Sequence, residues 1–92
     1  MTPQQRHKVI ARIENMEWCF DTVQAAFKRD AAAARRSPVC RALVRTLLRY
    51  YEGGQWLADY ALDEAGLLPA DLKRGVLSED GVYNFLTDWE KA

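Results

Sequence analysis

The stretch that decides the fold is VIARIENMEWCFDTVQAAF, residues 9–27. Its apolar residues recur at alternating intervals of four and three, which is the spacing of one face of an α-helix. Arg6 and Asp30 occupy the next positions of this series and mark its two ends. Because the series is shorter than the about three to four heptads of a free coiled coil, it predicts the core-facing side of a helix. The apolar positions are Val9, Ile13, Met16, Phe20, Val23 and Phe27.

This first helix has a clear beginning and an open end. Thr2, Pro3 and Gln5 form a capping-box start with proline in the first turn. The alanines at 31–34 would let the helix continue to about Ala33. Such a helix would be roughly 45 Å long, which exceeds the roughly 30 Å diameter of a compact domain of this size. We therefore expect a kink or an overhang, and an overhanging apolar stripe predicts a homodimer through the long first helix.

Capping residues and glycines divide the rest of the chain into further helices. A second helix starts at Ser37 and Pro38 and ends at the glycines 53–54, and a short third helix ends at Gly66. Ser78 caps a C-terminal helix. The chain is predicted to be an all-α single domain over residues 1–92, a bundle of about four helices with two long antiparallel ones. Side chains expected on the buried faces beside the first stripe include Ile10, Trp18, Cys19, Leu57, Tyr60 and Tyr83.

Composition narrows the class of protein. The 92 residues are 49% hydrophobic and 28% charged, which is typical of a soluble globular domain and not of a disordered chain. No apolar run approaches the about 18 residues of a membrane span, and the polar start is unlike a secretory signal. Cys19 and Cys40 are expected to be buried, reduced thiols, so the expected compartment is the cytoplasm.

The second half of the chain carries a family resemblance. The double tyrosine at residues 50–51, a tryptophan, an acidic turn and the block LPADLKRGVLSED at 68–80 follow a leading RIE-ME segment at 12–17. This pattern resembles the small bacterial proteins of domain-of-unknown-function family 4298. The resemblance implies a helical fold and a bacterial origin, and it transfers no activity and no site residues.

Residues suited to catalysis are few and dispersed. His7 is the single histidine, and with Cys19 and Cys40 it forms neither a zinc-site spacing nor a clear nucleophile–base pair. The best carboxylate cluster is Asp59, Asp63 and Glu64, and Asp59 and Asp63 would share a helix face. We interpret this cluster as a solvated acidic face, so an enzyme with an Asp/Glu site is the third hypothesis. No cofactor and no metal are expected.

Arginines suggest a nucleic-acid alternative. Arg41, Arg45 and Arg49 recur every four residues on the second helix, and Arg35 and Arg36 precede it. Such a row can follow phosphates. The zero net charge and the pI of 6.6 make nucleic acid the weaker expectation. The competing interpretation is that these arginines pair with acids of the first helix, Glu14, Glu17 and Asp21, or with the acidic C-terminal half.

A protein partner explains more of the sequence. Residues 1–49 carry ten Lys/Arg against four Asp/Glu, whereas residues 50–92 carry three against nine. Aromatic residues lie among the acids of the second half, as in surfaces that bind basic partners. The main hypothesis is a non-catalytic protein–protein interaction module that neutralises or regulates a basic partner. The expected partner-binding residues are Trp56, Asp59, Tyr60, Asp63 and Glu64.

The irregular stretch DEAGLLPADLKRGVLSEDG, residues 63–81, is predicted to be a structural connection and not an active-site loop. Its glycines and Pro69 would mark turns, and Leu72 and Leu77 would cover the core as the chain reverses. Lys73 and Arg74 are expected to bind acids such as Asp63, Glu64 or Asp80. Exposure of the two leucines would instead indicate a binding surface.

Overall fold

Helices account for all the regular structure in the computed structural model, which describes residues 1–91. There is no strand in this range, so the predicted all-α class is confirmed. About four helices were expected, and the structure adds a short helix and a 3₁₀ turn to four longer helices. The elements are α1 (Pro3–Arg29), α2 (Ala31–Arg36), α3 (Pro38–Glu52), α4 (Gln55–Glu64), the 3₁₀ turn (Gly75–Leu77) and α5 (Gly81–Lys91).

The first helix starts as predicted and ends earlier. The Thr2 hydroxyl accepts a hydrogen bond from the backbone N–H of Gln5 at 3.1 Å, and the Gln5 side chain accepts from the N–H of Thr2 at 2.8 Å. Asp30 has extended backbone angles (φ −161°, ψ 96°), and its carboxylate accepts from the N–H of Ala33. The helix therefore does not continue unbroken to about Ala33, because Asp30 ends α1 and caps α2 as a separate short helix. Of the expected kink or overhang, the chain shows a break at Asp30.

The chain then turns back along α1. Ser37 caps α3 by accepting from the N–H of Cys40 at 3.2 Å, and Gly54 ends this helix region with a positive φ of 92°. α3 begins beside the C-terminal end of α1. Near the C-terminal end of α3, Tyr50 binds the Asp59 carboxylate, which also binds Arg12 in the first half of α1. The two long helices are therefore antiparallel, as predicted.

The predicted apolar stripe of α1 is covered by the chain's own helices. Val9, Ile13, Phe20 and Val23 are buried, and the half-buried Met16 and Phe27 pack against the same core. α3 contacts α1 along its length, and Phe85 of α5 forms edge-to-face ring contacts with two α1 phenylalanines. At about 1.5 Å per residue, α1 is about as long as the 43 Å molecule. The stripe is thus used internally and is not the free surface that the homodimer hypothesis needs; the dimer stays a prediction.

Three large apolar side chains expected on buried faces are exposed instead. The exposed fractions are 62% for Trp18, 63% for Leu57 and 56% for Tyr83. Each of these side chains lies next to the buried stripe of its helix. The apolar residues extend further around the helix than the face that the core covers, so those at the edge stay exposed. Cys19 and Cys40 are buried and are not bonded to each other, as expected.

The connection between α4 and α5 folds onto the core. Gly66 has a positive φ of 72°, and the N–H of Leu72 donates to the carbonyl of Pro69 in a turn. Leu77 is buried and Leu72 is half-buried against the core, so the expected covering role is confirmed. The Ser78 hydroxyl accepts from the N–H of Gly81 at 3.1 Å. α5 begins at Gly81, two residues later than a helix capped by Ser78 would.

Within residues 1–91, no helix combines the length and the apolar character that crossing a bilayer requires.

Candidate partner-binding groove

A closed polar cluster lies inside the bundle where a solvated acidic face was expected. Arg12 donates two hydrogen bonds to the Asp59 carboxylate, from Nη2 at 2.5 Å and from Nε at 2.9 Å. The Tyr50 hydroxyl donates to the same carboxylate at 2.7 Å. Asp59 has no exposed surface, so its assignment to a solvated, partner-binding face is wrong. A buried carboxylate needs such partners because isolated burial of its charge is costly.

The electrostatics of this cluster favour the protonated forms of Arg12 and Tyr50. The hydrogen bond to Asp59 raises the pKa of Arg12, against an opposing effect of burial. Burial is the main cause that raises the pKa of Tyr50, and the bond to Asp59 adds to it, while Arg12 acts in the other direction. No buried side-chain nitrogen or oxygen in the described part of the chain lacks a hydrogen-bond partner. The cluster is therefore suited to holding helices together.

Two further side chains tie the 3₁₀ turn to the helices. Glu17 is buried on α1, and its carboxylate accepts from the backbone N–H groups of Gly75 at 3.0 Å and Val76 at 2.8 Å. Trp56 of α4 is also buried, and its indole N–H donates to the carbonyl of Val76 at 2.8 Å. The predicted role of Trp56 as a partner-binding anchor is thus wrong for this fold, because its ring is part of the core.

Of the two cations between α4 and α5, Arg74 binds an expected acid and Lys73 binds a different one. Arg74 donates to the carboxylate of Asp63 and to the carbonyls of Pro69 and Leu72, so the expected Arg74–Asp63 bridge is confirmed. Lys73 instead pairs with Asp21 of α1 at 3.3 Å. Arg74 therefore fixes the turn to α4, and Lys73 connects it to α1.

The predicted partner-binding set does not form one surface. Asp59 and Asp63 each bind an arginine, which separates the carboxylate pair of the enzyme hypothesis. Tyr60 is half-buried, stacks on Trp56 with ring centroids 5.1 Å apart, and donates to Glu79 at 3.3 Å. Loss of hydration, followed by the charges of Glu64 and Glu79, raises the pKa of Tyr60. Glu64 is the one member of the set that is exposed.

A different concave surface lies between α1 and the turn after α4. It is a groove of about 420 Å³ in which the exposed Trp18 stands beside apolar side chains of α1 and of the turn. A volume of roughly 300–1,000 Å³ is typical of binding pockets. The lining residues are Ile10, Glu14, Glu17, Trp18, Asp21, Pro69, Asp71, Leu72 and Lys73.

The groove is acidic. Its lining contains four carboxylates and one cation, Lys73, which is already paired with Asp21. Glu14, Asp21 and Asp71 are exposed, whereas Glu17 is bound to backbone N–H groups beneath them. Sequence reasoning missed this site because Trp18 was assigned to the core. A signal was present, since residues 10, 14, 18 and 21 recur at intervals of four, four and three along one flank of the buried stripe.

The five arginines of the nucleic-acid alternative are all exposed. Arg41, Arg45 and Arg49 form no ion pair with any residue in the range 1–91. Their expected pairing with acids of α1 or of the C-terminal half is therefore not formed among the described residues. Of the α1 acids, Glu17 binds the 3₁₀ turn and Asp21 binds Lys73. These arginines face outward from α3.

A family model described as "Domain of unknown function (DUF4298)" matches residues 13–92. No curated protein and no solved structure matches the chain. The segments that carry the sequence resemblance supply Glu17, Tyr50, Trp56 and Arg74, which make the internal connections described above.

Proposed function

Because the chain belongs to the DUF4298 family, whose description names no activity, we propose a function from its surface: a non-catalytic module that binds a basic segment of another protein. The binding site is the groove defined by Trp18 and Leu72, with Glu14, Asp21 and Asp71 at its rim. Binding there would neutralise or regulate the partner. We place the interaction in the bacterial cytoplasm, in keeping with two buried, unbridged thiols.

The single observation that carries the proposal is the exposure of Trp18. A tryptophan that is 62% exposed on a rigid helix leaves a large apolar surface in water. Tryptophan is enriched among the residues that dominate binding energy at protein interfaces, particularly where it stands in a pocket surrounded by polar groups. Trp18 stands in such a pocket, and its helix is held from the other side by the core.

Charge complementarity supports a basic partner. Three exposed carboxylates line the same groove as the indole, and the single lysine of the lining is paired with Asp21. A lysine or arginine side chain over the indole face would gain a cation–π contact, and the carboxylates would hold the same cation. An acidic segment would meet repulsion at the same rim.

The hydrogen bonds and ion pairs of three acids outside the groove rim support a non-catalytic role. Asp59 and Asp63 bind arginines, and Glu17 binds two backbone N–H groups. Each of these carboxylates stabilises the fold, so none of them is available as a general base without loss of structure.

A display selection tests the proposal without knowledge of the natural partner. A random peptide library is selected on the folded protein and counter-selected on Trp18→Ala. We expect enriched peptides that combine Lys or Arg with an apolar residue, because both parts of the groove must be satisfied. Synthetic peptides of this kind should lose at least about tenfold in affinity on Trp18→Ala, as expected of an anchor tryptophan, and should weaken again on Glu14→Lys.

Leu57→Ala is the matched control, because Leu57 is equally exposed but does not line the groove. It should leave peptide affinity unchanged. Enrichment of acidic peptides, or of peptides that bind Trp18→Ala as well as the unaltered protein, would refute the groove as a site for basic segments.

A further inference from the structure

A second cleft lies where α2, the start of α3 and the end of α5 meet. Its volume is about 740 Å³. It shares no lining residue with the acidic groove, and no carboxylate is among the described residues that line it. The lining residues are Ala31, Ala32, Arg35, Arg36, Arg41 and Trp89. The small alanines of α2 leave room for a ligand beside the longer arginines.

The positive charge continues from the cleft along α3. Arg45 and Arg49 follow Arg41 at intervals of four residues, so the three guanidinium groups project from neighbouring turns, each about 6 Å further along the helix axis. All three side chains are exposed, and none of them forms an ion pair in the part of the chain that the structure describes. Of the α1 acids that sequence reasoning assigned to them, Glu17 binds the 3₁₀ turn and Asp21 binds Lys73. A row of exposed, unneutralised arginines attracts a polyanion even when the whole chain has no net charge.

Trp89 gives the cleft an aromatic wall. Its ring is half-buried and contacts Phe27 at 5.7 Å and Phe85 at 6.1 Å between centroids. These contacts fix the indole from the core side, while the remaining surface lines the cleft. A fixed aromatic ring beside guanidinium groups is the arrangement that proteins use to stack unpaired bases and hold the adjoining phosphates.

We propose that this cleft and the α3 arginines, together the arginine face (Arg35, Arg36, Arg41, Arg45 and Arg49 with Trp89), bind single-stranded nucleic acid. The arginines contact phosphates and Trp89 stacks on a base. The aromatic wall favours a nucleic acid over an acidic peptide, because a peptide carboxylate has no planar ring to cover the indole. It favours a single strand over a duplex, because paired bases do not present their faces. This second activity is independent of the acidic groove.

Fluorescence anisotropy with short labelled DNA and RNA single strands tests the charge contribution. On a logarithmic plot, affinity should fall with salt at a slope of about −0.7 for each phosphate contacted, so a slope of about −2 to −3.5 is expected for three to five contacts. The double variant Arg41→Gln/Arg45→Gln should make the slope less negative by about 1.4, and it should weaken binding at least tenfold at low salt. Arg6→Gln/Lys8→Gln is the matched control, because both side chains are exposed at the other end of α1.

Indole N–H signals in a ¹H–¹⁵N NMR spectrum test the stacking contribution, since the three tryptophans give separate signals. The Trp89 signal should shift on addition of a single strand, while those of Trp18 and Trp56 stay in place. Trp18→Ala should bind the strand normally, which separates this proposal from the groove.

Three results would overturn the assignment. The first is a salt slope that the arginine variants do not change. The second is tighter binding of poly-glutamate or of a duplex than of a single strand. The third is binding of inorganic polyphosphate as tight as that of the oligonucleotide, with an unmoved Trp89 signal.

Discussion

The guanidinium of Arg12 and the carboxylate of Asp59 are joined by two hydrogen bonds, although 47 positions of sequence separate them. Asp59 has no exposed surface, and Arg12 reaches it from α1 across the bundle. The bridge orients α4 against α1, and Tyr50 of α3 joins it through its hydroxyl. Three helices therefore depend on one buried carboxylate.

Removal of either member of this pair should destabilise the fold strongly. Arg12→Met should cost about 3–5 kcal/mol, because the fully buried Asp59 carboxylate loses its compensating charge. Asp59→Ala should also destabilise the fold, but by less, because the guanidinium that remains is 29% exposed and can bind water. The double variant Arg12→Met/Asp59→Leu should cost less than the sum of the two. Urea unfolding followed by circular dichroism measures these values. Lys73→Ala breaks the exposed pair with Asp21 and should cost at most about 1 kcal/mol; equal losses at the two sites would contradict the structure.

Alkaline pH should unfold the protein partly through Tyr50. Burial and the bond to Asp59 raise its pKa above the usual 10.0, so the folded state keeps a proton that the unfolded state loses. Stability is then fully present below about pH 10 and falls above it, by at most about 1.4 kcal/mol per pH unit for one group. Tyr50→Phe should be less stable at pH 8 but should decline less steeply above pH 10. The pKa values of Cys19 and Tyr60 are also raised, but both groups are present in the unaltered protein and in Tyr50→Phe. The difference between the two pH profiles therefore reports Tyr50.

Glu17 and Gly75 should show coupled effects on stability. Glu17→Ala leaves two backbone N–H groups of the 3₁₀ turn without an acceptor and should cost about 2–4 kcal/mol. A Cβ added at Gly75 would lie 2.8 Å from Oε1 of Glu17, so Gly75→Ala displaces the carboxylate from its bonds. We expect Gly75→Ala to cost about 1–2 kcal/mol alone and clearly less in the Glu17→Ala background. Additive losses in a double-mutant cycle would show that the contact is absent.

Trp18 and Trp56 should behave as an exposed and a buried indole. Trp18→Ser should remove most of the tryptophan fluorescence that acrylamide quenches, and it should change stability by less than about 0.5 kcal/mol. Trp56→Ser should cost about 3–5 kcal/mol, because it removes a core side chain and leaves the Val76 carbonyl without its donor. Quenching that is unchanged by Trp18→Ser would mean that the indole is covered.

Arg74 should control the turn that forms one wall of the groove. Arg74→Lys keeps a charge for Asp63 but loses the fork that also binds the carbonyls of Pro69 and Leu72. Hydrogen exchange of the Leu72 amide, which donates to the Pro69 carbonyl at 3.2 Å, should accelerate. Peptides selected on the groove should bind more weakly although Trp18 is intact. Unchanged exchange would show that Arg74 is not needed for the turn.

Local signals were sufficient for the helical framework. The seam of α1 from Val9 to Val23 is buried as its period predicts, and the caps at Thr2 and Ser37 act as expected. Asp30 was identified as the end of the stripe but not as the end of the helix. The Asp30 carboxylate caps α2 and so competes with continuation of α1. The alanines at 31–34 favour helix on their own, so the sequence did not indicate this break.

Local signals failed for the charged and aromatic residues of the candidate site. Asp59 and Glu64 lie in the same acidic run, yet one is fully buried and the other is exposed. Trp18 and Trp56 are both tryptophans on amphipathic helices, and they have opposite environments. The partners that bury Asp59 and Trp56 are distant in sequence: Arg12 binds Asp59, and the carbonyl of Val76 binds Trp56.

The order, ends and core-facing seams of the helices thus follow from residues within one or two turns of each other, where backbone hydrogen bonding and side-chain period act directly. The acidic groove and the arginine face depend on contacts between distant segments. Glu17 reaches Gly75 and Val76 across more than fifty positions, and that contact places Pro69 and Leu72 beside Trp18. A flank of a helix becomes core or binding surface according to whether another segment covers it, and packing of the whole chain decides which flank is covered.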